Sequence, residues 1–407
     1  MMARMSRLRP RFRSGRESND RLIYQSLLLL AVLFPLIANN LLTSGNGSAL
    51  IGQAGDAGVY VLLALGLNVV VGFAGLLDLG YAAFFAIGAY TYGILGSSQL
   101  LGSPLHNAIH FPFWPMLIVA LLTAALFGII LGAPTLRLRG DYLAIVTLGF
   151  GEIVPRVFKN LSQYTGGVNG VGPVDQPTLY VWINGPWVGL PFGVIRDFNF
   201  ALDPLAYYVV MVILLVIAVI AVTNLYSSRL GRAWMAIRED EVAAAAMGVN
   251  PVLTKLLAFS IGASFSGLAG AYYAAKLSLV SPENFAFVVS VTILVMVVLG
   301  GMGNPPGVII GAILLYYVLF RFLGDLPDYA TNAANAVGLS VLNQQHGDWS
   351  GLHDEVQRLN FLIYGIILVS VMLLRPQGLI PSRIRRAELK EGVTADSMGG
   401  VGEAAGT

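Results

Sequence analysis

Runs of about 20 apolar residues recur along almost the whole chain, and very few charges interrupt them. No residue between Asp203 and Arg229 is charged. A stretch of that kind cannot sit on a water-facing surface. It must be buried in protein or in lipid. Of the 407 residues, 56% are hydrophobic and 11% are charged, where a soluble domain carries about 25% charged residues. Mean hydropathy is +0.73. The chain is therefore read as an integral membrane protein. In lipid each backbone amide must find its partner within the protein, which leaves helices or a closed barrel. A barrel would alternate polar and apolar residues in segments of about 10. These runs are continuous, so the fold class is an all-α polytopic membrane protein. The 47 glycines suit helices that approach one another closely.

The apolar pattern predicts ten crossings or partly re-entrant helices, near 22–42, 57–72, 78–97, 113–133, 141–158, 205–223, 256–275, 287–301, 306–323 and 359–375. Glycine-rich stretches at Gly72–Gly75 and Gly300–Gly307 punctuate the segments 57–97 and 287–323, which marks these as tilted, broken or re-entrant. Charge orients the set. With the N-terminus inside, the inner segments are 1–21, 134–140, 224–255 and 375–407, and they hold 18 of the 24 Lys and Arg. Positive charge is retained on the cytoplasmic side, so both termini are expected there. Residues 1–21 form a basic N-terminal segment and 22–380 the transmembrane domain, with a polar loop at 224–255 and outer loops at 159–204 and 324–358. The small, polar residues 381–407 are expected to be a disordered cytoplasmic tail. The basic start followed by an apolar run resembles a secretory signal, but no small-residue cleavage site follows it, so it is read as an uncleaved first span.

Other function classes find no support. There is no cysteine, hence no disulfide or thiolate metal site. His346 and His353 lie in a polar outer loop without metal-ligand spacing. The arginines of the tails need no nucleic acid to explain them. No Ser/His/Asp or paired-carboxylate constellation is present, so no catalytic residue is assigned. Trp182, Trp187, Tyr207 and Tyr208 read as anchors at the membrane interface.

The segment 224–255 is the exception to the apolar pattern. Arg229, Arg232 and Arg238 alternate with Leu230, Trp234 and Ile237, and Glu239, Asp240 and Glu241 precede a run of alanines. Acidic residues favour a helix start and alanine propagates it. Gly248 ends the run and Asn250-Pro251 breaks the chain. One helix over 229–248 is expected. It is either a tether between two spans or an amphipathic handle for a soluble partner.

At this point the residues become specific. Gly231–Asn250, followed by Lys255–Phe259, closely resembles the cytoplasmic loop of LivM-type branched-chain amino-acid ABC permeases. Matching pieces follow in family order: Gly66–Gly75 with Leu79–Tyr90, Arg137–Glu152, Thr165–Gly170, Leu299–Gly303 and Arg375–Leu379. The resemblance covers roughly 55–320 and 358–380. It implies a division of labour, with this chain as one of two related inner-membrane permease subunits, the second being LivH-like. Two ATPases inside would bind ATP-Mg, and a periplasmic protein would deliver branched-chain or other neutral amino acids. The chain itself carries no Gly-x-x-x-x-Gly-Lys-Ser/Thr phosphate loop, so no cofactor is expected on it. By the same resemblance 229–248 is the coupling helix, with Arg232, Arg238, Glu239, Asp240 and Glu241 as its polar contacts and Gly248 as its terminal turn. The match to the broader importer pattern Glu-Ala-Ala-x-x-x-Gly is imperfect, because Val242 stands where that pattern has Glu.

Four further places are candidates for the translocation pathway. Glu152 either lines it or pairs with Arg156 one helical turn on. Asp78 opens the third span and is read as a helix cap before a transport residue. Asn68 either lines the pore or joins two helices, and joining is favoured. Thr165, Gly166, Gly167 and Asn169 belong to a glycine turn whose amides could face a carboxylate or a docked protein. Two alternatives stand beside the amino-acid importer. One is the same machine carrying urea or a short amide. The other is a stand-alone, ion-coupled secondary carrier built from broken helices, which would need no coupling helix.

Overall fold

The computed structural model describes residues 14–41, 47–104, 110–135, 141–177, 204–339, 343–344, 350–374 and 378–380. Trp182, Trp187, His346, Arg137, Arg375, the first 13 residues and the tail from 381 lie outside them. Among the described residues fifteen α-helices follow in order: α1 (Ser14–Leu41), α2 (Gly47–Leu67), α3 (Tyr81–Leu95), α4 (Gln99–Gly102), α5 (Phe113–Thr135), α6 (Asp141–Asn160), α7 (Ser162–Thr165), α8 (Pro204–Ser227), α9 (Arg229–Glu239), α10 (Glu241–Ala246), α11 (Pro251–Leu277), α12 (Phe287–Gly300), α13 (Pro305–Tyr316), α14 (Leu323–Ala336) and α15 (Leu352–Leu374). The described residues form no strand, only two isolated bridges. Gly47–Phe73, Phe113–Pro134, Pro204–Ser227, Pro251–Leu277, Pro282–Gly300 and Pro305–Ala336 are each long and apolar enough to cross a membrane. The protein is an all-α polytopic membrane protein.

α11 is the spine, packed against α5, α3 and α2. Close approach is possible because small residues meet. A Cβ on Gly88 of α3 would lie 2.3 Å from the Gly267 carbonyl oxygen of α11, and one on Gly267 would lie 2.4 Å from the Ala120 carbonyl oxygen of α5. Three helices thus touch backbone to backbone, as small-residue packing in membranes allows.

α3 is too short to cross alone. Its 15 residues span about 22 Å, against a hydrocarbon core of about 30 Å. Its first turn begins inside the bundle, where neighbours satisfy the amides a helix start leaves open. Ser290 Oγ of α12 accepts from Ala82 N at 2.9 Å, and Thr147 Oγ1 of α6 accepts from Leu79 N at 3.1 Å. The Tyr81 hydroxyl donates to the Gly262 carbonyl midway along α11. The 14 residues of α12 are short in the same way.

Three expectations change. The outer loop expected over 324–358 is largely helical among the described residues. A π-turn at Tyr317–Phe322 carries α13 straight into α14, and α15 begins at Leu352. Tyr207 and Tyr208, expected as interface anchors, are buried within the protein, and their hydroxyls donate to the Ala275 and Ala31 carbonyls. The helix expected over 229–248 is two helices, α9 and α10, because Asp240 takes an extended conformation between them.

Candidate functional site

The polar segment between α8 and α11 is built from local rules. Ser228 caps α9 by accepting from Gly231 N. Apolar residues at 234 and 237 share one face, so Trp234 and Ile237 are buried while Arg232 and Glu239 stay exposed. The Trp234 indole donates to the Thr254 carbonyl at 2.7 Å, which ties α9 to the first turn of α11. Asp240 then turns the chain. Its Oδ1 accepts from Val242 N and Ala243 N and so caps α10. Gly248, at φ +89°, closes the helix as expected, with Val249 N donating back to Ala244 O in a C-terminal turn. Asn250 caps α11 through Leu253 N, and Pro251 follows at its first position, where proline suits a helix start.

The candidate contact residues divide. Arg232 Nη1 donates to the Ser227 carbonyl at 2.9 Å on the exposed side of α9. Glu241 is held within the chain by Lys255 Nζ at 2.7 Å, where the lysine side chain is 9% exposed. Arg238 turns inward and donates from Nη1 to the Gly72 carbonyl at 2.7 Å. Beside the exposed Arg232 and Glu239 the segment also offers apolar side chains outward: Val242 is 71% and Met247 86% exposed. Asp240→Ala should cost α10 about 1 kcal/mol of local stability, the usual value of an N-cap. Amide exchange from Val242 to Met247 should quicken, and an unchanged rate would show that the cap does not hold α10.

The other candidates lie apart from this segment. Glu152 pairs with Arg156 at 3.3 Å on an exposed face of α6, the arrangement of an i,i+4 surface pair. Asp78 is 1% exposed. Its Oδ1 accepts from Gly80 N, two residues away. It does not cap α3, whose cap position is Gly80 with no side-chain bond. The carboxylate braces the turn that precedes the helix, beside Thr147, Phe84 and Phe259. Asn68 lies in a π-turn, Asn68–Phe73, that ends α2. Its Oδ1 accepts from Gly303 N at 2.8 Å, a joint between two membrane segments. Thr165 is buried, with its hydroxyl donating to the Phe158 and Leu161 carbonyls. Gly166 and Gly167 have positive φ, and the loop after the exposed Asn169 pairs Val171 with Val280 through two 2.9 Å bonds. That loop is stitched to the strand-like segment after α11.

The family model "branched-chain amino acid transport system / permease component" matches residues 49–339. The chain is 38% identical to the high-affinity branched-chain amino acid transport system permease protein LivM of Escherichia coli K12, over 93% of this chain and 79% of the relative.

The chain belongs to this permease family.

It is also 25% identical to a probable LivM permease of Methanocaldococcus jannaschii, over 80% of this chain and 91% of the relative. With the LivH permease of Escherichia coli K12 it shares 27% identity over 63% of its length. No solved structure matches it. As a member of this family the permease is a transport component and not an enzyme. Its similarity to both LivM and LivH fits a system with two related permeases. The α9–α10 segment lies inside the matched span, as do Asn68, Asp78, Glu152 and Thr165.

Proposed function

We propose that this permease carries branched-chain amino acids across the bacterial inner membrane, as the transmembrane subunit of an importer driven by ATP. Two partner ATPases bind ATP-Mg on the cytoplasmic side, a LivH-like permease completes the pathway, and a periplasmic protein delivers the solute. Both termini and the α9–α10 segment face the cytoplasm, in keeping with the placement of Lys and Arg.

One observation supports the coupling role above the rest. The segment is anchored firmly and yet faces outward with apolar side chains. Trp234 and the Glu241–Lys255 pair bind it to α11, while Val242 and Met247 stand in solvent. An amphipathic helix with unpaired apolar residues is what a helix-in-groove contact uses. A firm anchor lets force on that contact reach the bundle. Transport then follows alternating access. ATP binding draws the ATPases together, the α9–α10 segments move with them, and the bundle exchanges inward for outward opening. The coupling requires each ligand to prefer one of the two states.

The test is a gentle-detergent pull-down of the tagged chain from its native membrane, with partners identified by mass spectrometry. We expect a second permease, P-loop ATPases and a periplasmic binding protein, and the last should bind leucine, isoleucine or valine. A binding protein that takes urea or an amide instead would change the solute and keep the machine. A chain recovered alone, transporting in liposomes without ATP, would make it an autonomous carrier.

A further inference from the structure

Arg238 does not offer its guanidinium outward. Nη1 donates to the Gly72 carbonyl at 2.7 Å, inside the π-turn that ends α2. Wider winding in a π-turn disturbs the regular hydrogen-bond ladder and often marks a functional site. The stem crosses bare backbone on the way. A Cβ on Gly75, at φ +69°, would lie 2.8 Å from Arg238 Cγ, and one on Gly303, at φ +80°, would lie 3.6 Å from Arg238 Nη1.

The turn at Gly303 is itself a meeting point. Its amide donates to Asn68 Oδ1 at 2.8 Å, so the α12–α13 turn is tied to the end of α2. The chain beyond α15 docks onto the same turn from another side. Leu379 N donates to Leu299 O at 2.6 Å and Ile380 N to Gly300 O at 3.2 Å, while Asn304 Nδ2 donates to Ile380 O at 2.8 Å. Four segments far apart in sequence therefore converge: 68–75, Arg238, 299–304 and 378–380. Each lies in a different stretch of the sequence, and no spacing brings the four together.

We infer that Arg238 is the joint through which the α9–α10 segment moves the bundle, and that it is a positioning residue rather than one that grips an ATPase. α9 carries the guanidinium, and only Asp240 links α9 to the outward-facing α10. A shift of α9 acts at once on the ends of α2 and α12 and on the start of α13, because all three meet at the Gly72 and Gly303 turns. Arginine suits this work. Its rigid planar fork transmits position, where a lysine ammonium on a flexible stem would follow loosely. The inference rests on the importer reading.

The experiment uses the whole complex, purified from native membranes and reconstituted in liposomes with its binding protein and radiolabelled leucine as the probe. Arg238→Lys removes the fork and keeps the charge. Gly75→Ala keeps the guanidinium and crowds its stem. In each variant the ATPases should remain in the pull-down and the complex should elute as a single peak. The ATP hydrolysed per leucine imported should rise about tenfold, within the range of about 5–150-fold typical of a coupling term. Arg238→Gln, which keeps a planar amide donor and removes the charge, replaces the lysine variant if that one aggregates. Loss of the ATPases from an arginine variant would make Arg238 a docking residue and overturn the inference, and so would an unchanged ratio in both variants. A wild-type complex that lacks ATPases or imports no leucine would remove the importer reading itself, and the wild-type samples report that separately.

Discussion

Gly88→Val is expected to destabilise the folded bundle severely. An added Cβ at this position would lie 2.3 Å from the Gly267 carbonyl oxygen and 2.4 Å from the Gly267 Cα. Both are backbone atoms of α11 and cannot rotate away. Overpacking a core costs about 1–3 kcal/mol when side chains can adjust. Here α3 and α11 must separate, which also loosens the contact between Gly267 and Ala120 on α5. A loss above the top of that range takes a large share of the about 5–15 kcal/mol by which a folded protein is stable. The measurement is the yield of monodisperse protein in detergent, with its thermal midpoint. Gly149→Ala is the control, because a Cβ there meets nothing within 4 Å and alanine favours a helix over glycine by about 1 kcal/mol. Wild-type yield and midpoint for Gly88→Val would show that the helices are not held by this contact.

The second large effect belongs to the outward face of α10. Val242→Asp combined with Met247→Asp should leave the chain folded and stop uptake. The side chains are 71% and 86% exposed, and surface substitutions usually change stability by no more than about 0.5 kcal/mol. In a partner's apolar groove the same change would bury two unpaired charges. Truncating a hot-spot residue alone costs at least about 2 kcal/mol, so the pair should weaken docking by well over tenfold. The ATPases should vanish from the pull-down while the LivH-like permease stays. ATPases recovered in wild-type amounts would place the docking surface elsewhere. The contrast with Arg238 separates the two roles. Charging α10 should lose the partner, and altering Arg238 should keep the partner and lose the coupling.

Most of the helices were legible because apolar runs leave a helix little choice in lipid. The ten predicted places hold α1, α2, α3, α5, α6, α8, α11, α12, α13 and α15. The helix limits at Gly248 and Asn250-Pro251 were legible too, since only glycine takes that positive φ freely and only a capping residue suits that start. Asp240 was harder. The same aspartate favours the first turn of a helix and the cap before one, and sequence alone does not choose between them. The structure chooses the cap: Asp240 is extended, and its Oδ1 accepts from Val242 N and Ala243 N at the start of α10.

The candidate site divides along the same line. Its apolar face was overlooked, since a valine and a methionine in a chain that is 56% hydrophobic carry no signal until neighbours leave them uncovered. Arg238, the Asn68–Gly72 turn, Gly303 and Leu379 stand in four separate stretches of the sequence, and no spacing brings them together. The amino-acid sequence by itself determined that this chain enters a membrane as helices, where most of them start and stop, and that one polar segment interrupts them. Those outcomes follow from solvation and local backbone preference, which act within a few turns. Tertiary structure alone decided which glycines touch, which charges turn inward and which apolar residues remain exposed. Those depend on side chains meeting across hundreds of residues, where packing and hydrogen-bond satisfaction decide and local preference has nothing to say.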